Sequence, residues 1–168
     1  MKIRLATEKD LEALNNMYQD IVKAMNDNNI GIWNEYYPFE VLPDDIQNKR
    51  VYVLENDIEI VAACALCESN SGEKYVEWQE NTGKVLYIDR LGVNANYLRQ
   101  GIGGMLIQKV KELAKEKGAE HLRLFVVDIN TPAINLYLKN GFKQVNGVYK
   151  EKITEEYFLT EFGFEMKV

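Results

Sequence analysis

Histidine is nearly absent from this chain: His121 is the only one in 168 residues. A histidine-rich metal site is therefore excluded. A Ser-His-Asp triad is also a poor reading, because His121 opens an apolar strand-like run and is expected at the surface. Cysteine is scarce as well. Cys64 and Cys67 form a C-x-x-C, a spacing that can signal zinc or redox chemistry. Here it lies inside an apolar run read as a strand, where positions i and i+3 point to opposite faces. Two cysteines so placed cannot share a metal, and both read as buried free thiols. No metal is expected.

An excess of basic charge is missing too. Lys and Arg number 20 against 26 Asp and Glu, for a formal net charge of −6. Nucleic-acid-binding domains carry a basic footprint, so no nucleic-acid partner is expected. The acidic balance mildly suits a cationic small molecule. No run approaches the roughly 20 apolar residues of a membrane span, and the opening "MKIRLATEKDLEAL" has no apolar signal-peptide core. With two cysteines and no secretion signal, the expected compartment is reducing and cytoplasmic, with no membrane partner. Internal repeats, linkers and low-complexity tracts are absent.

What remains is an ordinary globular composition, 46% hydrophobic and 27% charged, in a chain sized for one domain over residues 1–168. Domains of this size bury roughly 70% of their unfolded surface. Ile3 and Leu5 alternate as a short strand. Thr7 offers an N-cap with Asp10 in the first turn. Leu11, Leu14, Met17, Tyr18, Ile21, Val22 and Met25 then recur at helical spacing, up to the polar Asn26–Asn29. The aromatic "GIWNEYYPFEVLPDDIQNK" is broken by Pro38 and Pro43, with a short helix expected over 44–49. "RVYVLEN" and "IEIVAACALCES" read as a hairpin around Asn56-Asp57.

After the polar "KYVEWQENTGK" comes a strong strand, Val85–Val93. A helix over 101–117 follows, with Met105, Leu106, Val110 and Leu113 inward and Gly118 closing it. "HLRLFVV" is a strand. Thr131 caps a last helix that has Pro132 at its first position and ends at Gly141. "FKQVNGVYK" and "EFGFEMKV" can close as an antiparallel pair. The order β-α-(α)-β-β-β-α-β-α-β-β predicts an α/β (α+β) domain with a mixed sheet and helices on its faces.

Between strand and helix lies "LGVNANYLRQGIGGML". A glycine-rich turn feeding a helix makes an anion site, because the first helical N–H groups lack intrahelical partners and the dipole favours negative charge. Gly101, Gly103 and Gly104 remove side chains that would hold a phosphate away, and Arg99 adds a cation at the rim. A dinucleotide fingerprint fails, since its third glycine is Leu106, and a Walker loop fails, since Gly104 is followed by Met105. On the glycines alone, a flexible turn with close helix–sheet packing fits as well as a phosphate cradle.

The stretch "LGVNANYLRQGIGGMLIQKVKELAKEKG", followed by "NTPAINLYLKNGF", resembles the GCN5-related N-acetyltransferase (GNAT) superfamily. The first part resembles its acetyl-CoA pyrophosphate motif, Arg/Gln-x-x-Gly-x-Gly/Ala. The second resembles its N-x-x-A-x-x-L-Y-x-x-x-G-F helix at Asn130, Ala133, Leu136, Tyr137, Gly141 and Phe142. The likeness is strong over residues 85–142 and weaker before them. One departure is Leu98, which stands where the family has Arg or Gln; Arg99 follows it.

The resemblance implies a GNAT-like fold, a mixed and mostly antiparallel central sheet with helices on both faces, in which splayed strands form the acetyl-CoA cleft. It implies acetyl-CoA as co-substrate. The pantetheine arm would pair with backbone near Leu91 and Val93, and Gly92 suits a bulge where a ligand approaches. The amides of Arg99, Gln100, Gly101, Ile102, Gly103 and Gly104 would hold the pyrophosphate. Asn130 would bond the arm; its plainer reading is a helix cap. Tyr137 matches the family's general acid, a phenol protonated at neutral pH, and its plainer reading is a packed helix aromatic. The amide of Val93 would stabilise the oxyanion.

An alkylammonium acceptor must lose a proton before it can attack. Asp89, in the middle of an apolar strand, is the first candidate for the base. If the strand alternates, it shares a face with Tyr87 and Leu91. Asp89 fits equally well as half of an ion pair with Arg90 or Arg123. Glu77 and Glu35 are weaker candidates. Trp33, Glu35, Tyr36, Trp78 and Tyr87 are expected around an acceptor pocket, where aromatics supply area and cation–π contacts; packing of the long loops onto the core would need the same residues. The expected activity is transfer of acetyl to a primary amine of a small molecule or peptide, through a tetrahedral intermediate. The competing reading is a non-catalytic acyl-CoA sensor. Dimers are common in the family, which makes a homodimer the expected assembly.

Overall fold

The computed structural model of the chain describes residues 1–168. Its strands are β1 (Lys2–Leu5), β2 (Val51–Glu55), β3 (Ile60–Cys67), β4 (Val76–Glu77), β5 (Val85–Val93), β6 (His121–Val127), β7 (Lys143–Gln144), β8 (Asn146–Gly147), β9 (Tyr149–Lys152) and β10 (Phe158–Lys167). Its α-helices are α1 (Leu11–Asp27), α2 (Leu42–Gln47), α3 (Ile102–Glu116) and α4 (Thr131–Lys139). The expected mixed α/β fold with a mostly antiparallel sheet is present. No helix is long and apolar enough to cross a membrane. The chain forms two compact units, residues 1–66 with 89–109, and residues 67–88 with 110–168. Both β5 and α3 begin in one unit and end in the other.

In the first unit the strand order is β1-β2-β3-β5. β3 is buried along nearly its whole length, which explains its continuous apolar run "IVAACALC". Cys64 is buried and Cys67 half-buried, and no disulfide joins them. The apolar stripe of α1, Leu14, Met17, Tyr18 and Ile21, packs with Leu42 and Ile46 of α2 and with Val51 and Val53 of β2. Each such side chain, fully buried, contributes roughly 1.5–3 kcal/mol.

Thr7 does not cap α1 directly, because a single 3-10 turn, Glu8–Asp10, intervenes. The Thr7 N–H and hydroxyl both donate to the Asp10 carboxylate, at 2.7 and 2.9 Å. Arg4 on β1 grips the same carboxylate with two 2.8 Å bonds and reaches Glu55 on β2 at 2.8 Å.

In the second unit the first half of β5 pairs parallel with β6, Val85 to His121 through Tyr87 to Arg123. That ladder stops at Tyr87, although both strands run on. β6 pairs antiparallel with β10 along its whole length. His121 is buried, only 2% exposed, and not at the surface as expected. It is paired on both sides, to Val85 and to Lys167, so the first residue of the strand already lies inside the sheet.

The closing pair forms, but in pieces. β10 starts at Phe158 and pairs with β9 and β7. Between them Gly147, with φ +91°, belongs to β8, which pairs with β4. On α3, Met105 is exposed rather than inward, and Ile102, Leu106, Ile107, Val110 and Ala114 are buried. The stripe follows i, i+4 spacing from Ile102, which leaves Met105 on the outer edge. Gly118 ends the helix at φ +73°, as its position suggested.

Candidate active site

The second half of β5 is not a regular strand. Arg90 adopts φ +54°, a conformation that L residues other than Asn and Asp seldom take. Alternation therefore breaks at Arg90, and Tyr87, Asp89 and Leu91 do not form the single face expected of them. The left-handed residue of β5 is Arg90, and Gly92 has no positive φ. A Cβ on Gly92 would lie 2.8 Å from Ile21 Cδ1 and 2.9 Å from Tyr18 Cε1. Its missing side chain makes room for α1.

Tyr18, Asp45 and Tyr37 all bond Arg90. The Tyr18 phenol donates to the Arg90 carbonyl at 2.7 Å. Asp45 on α2, 3% exposed, pairs with the Arg90 guanidinium at 2.7 Å. Arg90 also donates to the Tyr37 hydroxyl at 3.4 Å. Burial opposes the charge on Arg90, but Tyr37, Asp89 and Asp45 outweigh it and hold the guanidinium firmly protonated. Burial likewise pushes the Tyr18 phenol well above its ordinary value, so it stays a donor. From sequence alone, Tyr18 and Asp45 do not stand out as site residues. Tyr18 reads there as one more stripe residue, and nothing in "PDDIQ" says which aspartate is buried.

Asp89 is half-buried and lies within electrostatic reach of Arg90. Leu91 and Val93 are half-buried and Gly92 is buried. Asn94 follows as a buried cap: its side chain accepts from the Asn96 N–H at 3.0 Å, and its own N–H donates to the Val61 carbonyl at 2.9 Å. After a 3-10 turn at Ala95–Tyr97 the chain passes the exposed Leu98. It then adopts φ +61° at Arg99 and φ +80° at Gly101. No atom lies within 4 Å of a Cβ built on Gly101. That glycine serves the left-handed backbone and leaves open space beside it. The first helical bond of α3 runs from the Met105 N–H to the Gly101 carbonyl. The N–H groups of Ile102, Gly103 and Gly104 are thus without intrahelical acceptors. The Gly101 turn, the three N–H groups and the exposed Arg99 suit a phosphate.

The aromatic loop before α2 is held by Asn34, whose side chain accepts from the N–H groups of Tyr36 and Tyr37 at 2.8 and 3.0 Å. Trp33 packs edge-on against Tyr18 and Tyr37. Trp33 and Glu35 line a groove of about 590 Å³ with Lys23, Asp27 and Phe39. Tyr36 is exposed and lies outside that lining.

In the second unit, Tyr137 on α4 is 7% exposed, its ring edge-on to Phe142 and tilted against Phe164. Asn130 caps α4, accepting from the Ala133 N–H at 3.3 Å, and displaces Thr131 from the expected cap. Trp78 donates to the Glu73 carbonyl at 2.7 Å and stacks 4.3 Å from the Arg123 guanidinium. Arg123 pairs with the buried Glu165 at 2.6 Å and donates to the Glu80 carbonyl. Tyr87 packs edge-on to Trp78 and is 2% exposed, which leaves it no surface for a pocket. Glu77 is exposed on β4.

Residues 12–142 match the family model described as Acetyltransferase (GNAT) family. Thialysine N-epsilon-acetyltransferase of Sus scrofa is 35% identical over 79 residues, 47% of this chain and 46% of that protein. The chain thus spans about half the length of that relative. N-alpha-acetyltransferase of Sulfurisphaera tokodaii is 31% identical over 121 residues, 66% of this chain and 68% of that protein. Among solved structures, the PaiA N-acetyltransferase of Thermoplasma acidophilum in complex with coenzyme A superposes with a TM-score of 0.68 at 21% identity, covering 99% of this chain and 98% of that one. The chain belongs to the GNAT family of acetyltransferases.

Proposed function

We propose that the protein transfers the acetyl group of acetyl-CoA to a primary amine of a small molecule or peptide. The observation that carries this reading is the turn from Arg99 to Gly104. It combines two left-handed residues, open space at Gly101 and helical N–H groups without intrahelical acceptors. The family membership and the amine-acetylating relatives support it.

In this reading the amides from Arg99 to Gly104 hold the pyrophosphate, and the backbone at Leu91 and Val93 pairs with the pantetheine arm. Asp89 takes a proton from the acceptor ammonium. The neutral amine attacks the thioester carbonyl, and its oxygen becomes an oxyanion that the Val93 N–H stabilises. As the intermediate collapses and the C–S bond breaks, Tyr137 gives its proton to the departing thiolate, and the proton still carried by the new amide nitrogen is lost and restores the phenol. Asn130, whose Oδ1 caps α4, offers its Nδ2 to the pantetheine arm, and Gly92 serves packing against α1. Trp33 and Glu35, which share a groove, are the acceptor-side residues; Tyr36 flanks them, and Trp78 acts as a support for its loop. No metal takes part. The protein works without nucleic acid or membrane, in the cytoplasm, as a homodimer.

Free thiol released from acetyl-CoA in the presence of an amine panel tests the reading. Turnover above the uncatalysed rate with at least one amine is the expected result. Binding of acetyl-CoA by calorimetry with no thiol release from any amine would instead make the protein an acyl-CoA sensor.

A further inference from the structure

The turn at Arg90 is unfavourable for an arginine, and such a conformation persists only where its surroundings over-determine it. Those surroundings come from three separate segments: Tyr18 on α1, Tyr37 in the aromatic loop and Asp45 on α2. The bond from Tyr18 goes to the backbone itself. It fixes the carbonyl of Arg90, and with it the peptide plane leading into Leu91. Asp45 fixes the other end of the residue, the guanidinium. The side chains on Arg90 and Asp45 are 12% and 4% exposed, so water competes poorly for either.

We propose that Tyr18 and Asp45 are positioning residues for the transfer step, holding the left-handed turn at Arg90 and so aiming the backbone of Leu91–Val93. The inference rests on the reading of β5 as the strand that carries the reacting thioester. Neither residue touches a reactant. Both act through Arg90. The same clamp ties the aromatic loop to β5 through Tyr37, so the acceptor-side loop and the transfer strand share one anchor.

Tyr18→Phe and Asp45→Asn are compared with wild type by amide hydrogen exchange at Leu91–Val93 and by steady-state kinetics. Exchange there is expected to rise about five- to tenfold in Tyr18→Phe, the equilibrium equivalent of one net hydrogen bond. The kcat is expected to fall by about 10- to 100-fold, the scale of a reacting group displaced by a fraction of an ångström to one ångström. The KM for acetyl-CoA should hardly move, because the Arg99–Gly104 turn is untouched. A structural role alone would not separate kcat from KM in this way. Tyr18→Phe loses one oxygen and keeps its ring against Trp33 and Gly92, so it decides the matter if Asp45→Asn does not fold. Wild-type exchange in Tyr18→Phe overturns the clamp, and faster exchange with wild-type kcat overturns the positioning role. Where the wild type itself releases no thiol, the proposed activity fails, and the exchange measurement alone still upholds or overturns the clamp.

Discussion

Gly92 lies directly under the ring of Tyr18, so close that a Cβ at position 92 would stand 2.9 Å from Tyr18 Cε1. Ile21 Cδ1 would be nearer still, at 2.8 Å. The Ile21 methyl can move aside, but the Tyr18 ring is tied to Arg90 by its hydroxyl. Gly92→Ala is therefore expected to destabilise the protein by about 1–3 kcal/mol, the usual scale of overpacking. Urea unfolding measures it. A variant as stable as wild type would mean that α1 lifts freely from β5.

Gly101→Ala probes a different cost. The new methyl meets nothing, but φ +80° must be kept. The expected loss is about 1–2 kcal/mol of conformational strain. Gly101→Asn should lose less, because Asn tolerates the left-handed region. If alanine and asparagine behave alike in urea unfolding, the left-handed backbone is not what the glycine supplies. Calorimetry with CoA on both variants then reads how much of that backbone the ligand needs.

Tyr137→Phe keeps the ring contacts with Phe142 and Phe164. As the loss of a general acid, it should lower kcat by about 10²- to 10⁴-fold, with little change in CoA affinity. Unchanged turnover would take Tyr137 out of the acid role.

Asp10 gives the chain a pH-dependent anchor. Its hydrogen bonds from Arg4, with lesser help from Thr7, outweigh burial and hold its carboxyl well below the ordinary range. A carboxyl depressed in the folded state stabilises fully above its unfolded pKa, about 3.9. That stability is lost as pH falls through this value towards the folded one. Wild type should therefore lose stability faster than Asp10→Asn in urea titrations from pH 5 to pH 2.5. Equal slopes would show that the Arg4 contact contributes nothing to folding.

Much of the fold was legible because the strongest patterns are local. Val85–Val93, α3, β6 and α4 follow from periodicity, glycine and proline within a residue or two. The phosphate-type turn was legible for the same reason: its glycines sit together in sequence. What escaped depends on distant partners. Arg90 takes a left-handed turn with no glycine to announce it, because Tyr18 and Asp45 impose it from 72 residues away and from α2. Gly92 drew attention two positions too late, since its role is to receive α1. The burial of His121 follows from having strands on both sides, which its own neighbours in sequence do not reveal. Strands β4 and β8 are two residues each, too short for alternation to register. Tyr87 and Trp78 looked like pocket residues because packing and binding draw on the same aromatic residue types.

The division of the chain has a consequence for how it is made. The first unit lacks its segment 89–109 until the intervening residues 67–88 have been synthesised. A nascent chain emerging from the ribosome can form the β2–β3 hairpin early. It cannot seat Tyr18 and Ile21 on Gly92, or bond Tyr18 to Arg90, until residues 67–92 have been translated as well. Neither unit can then be produced as one uninterrupted fragment, and a single cut near Asp89 would leave both incomplete.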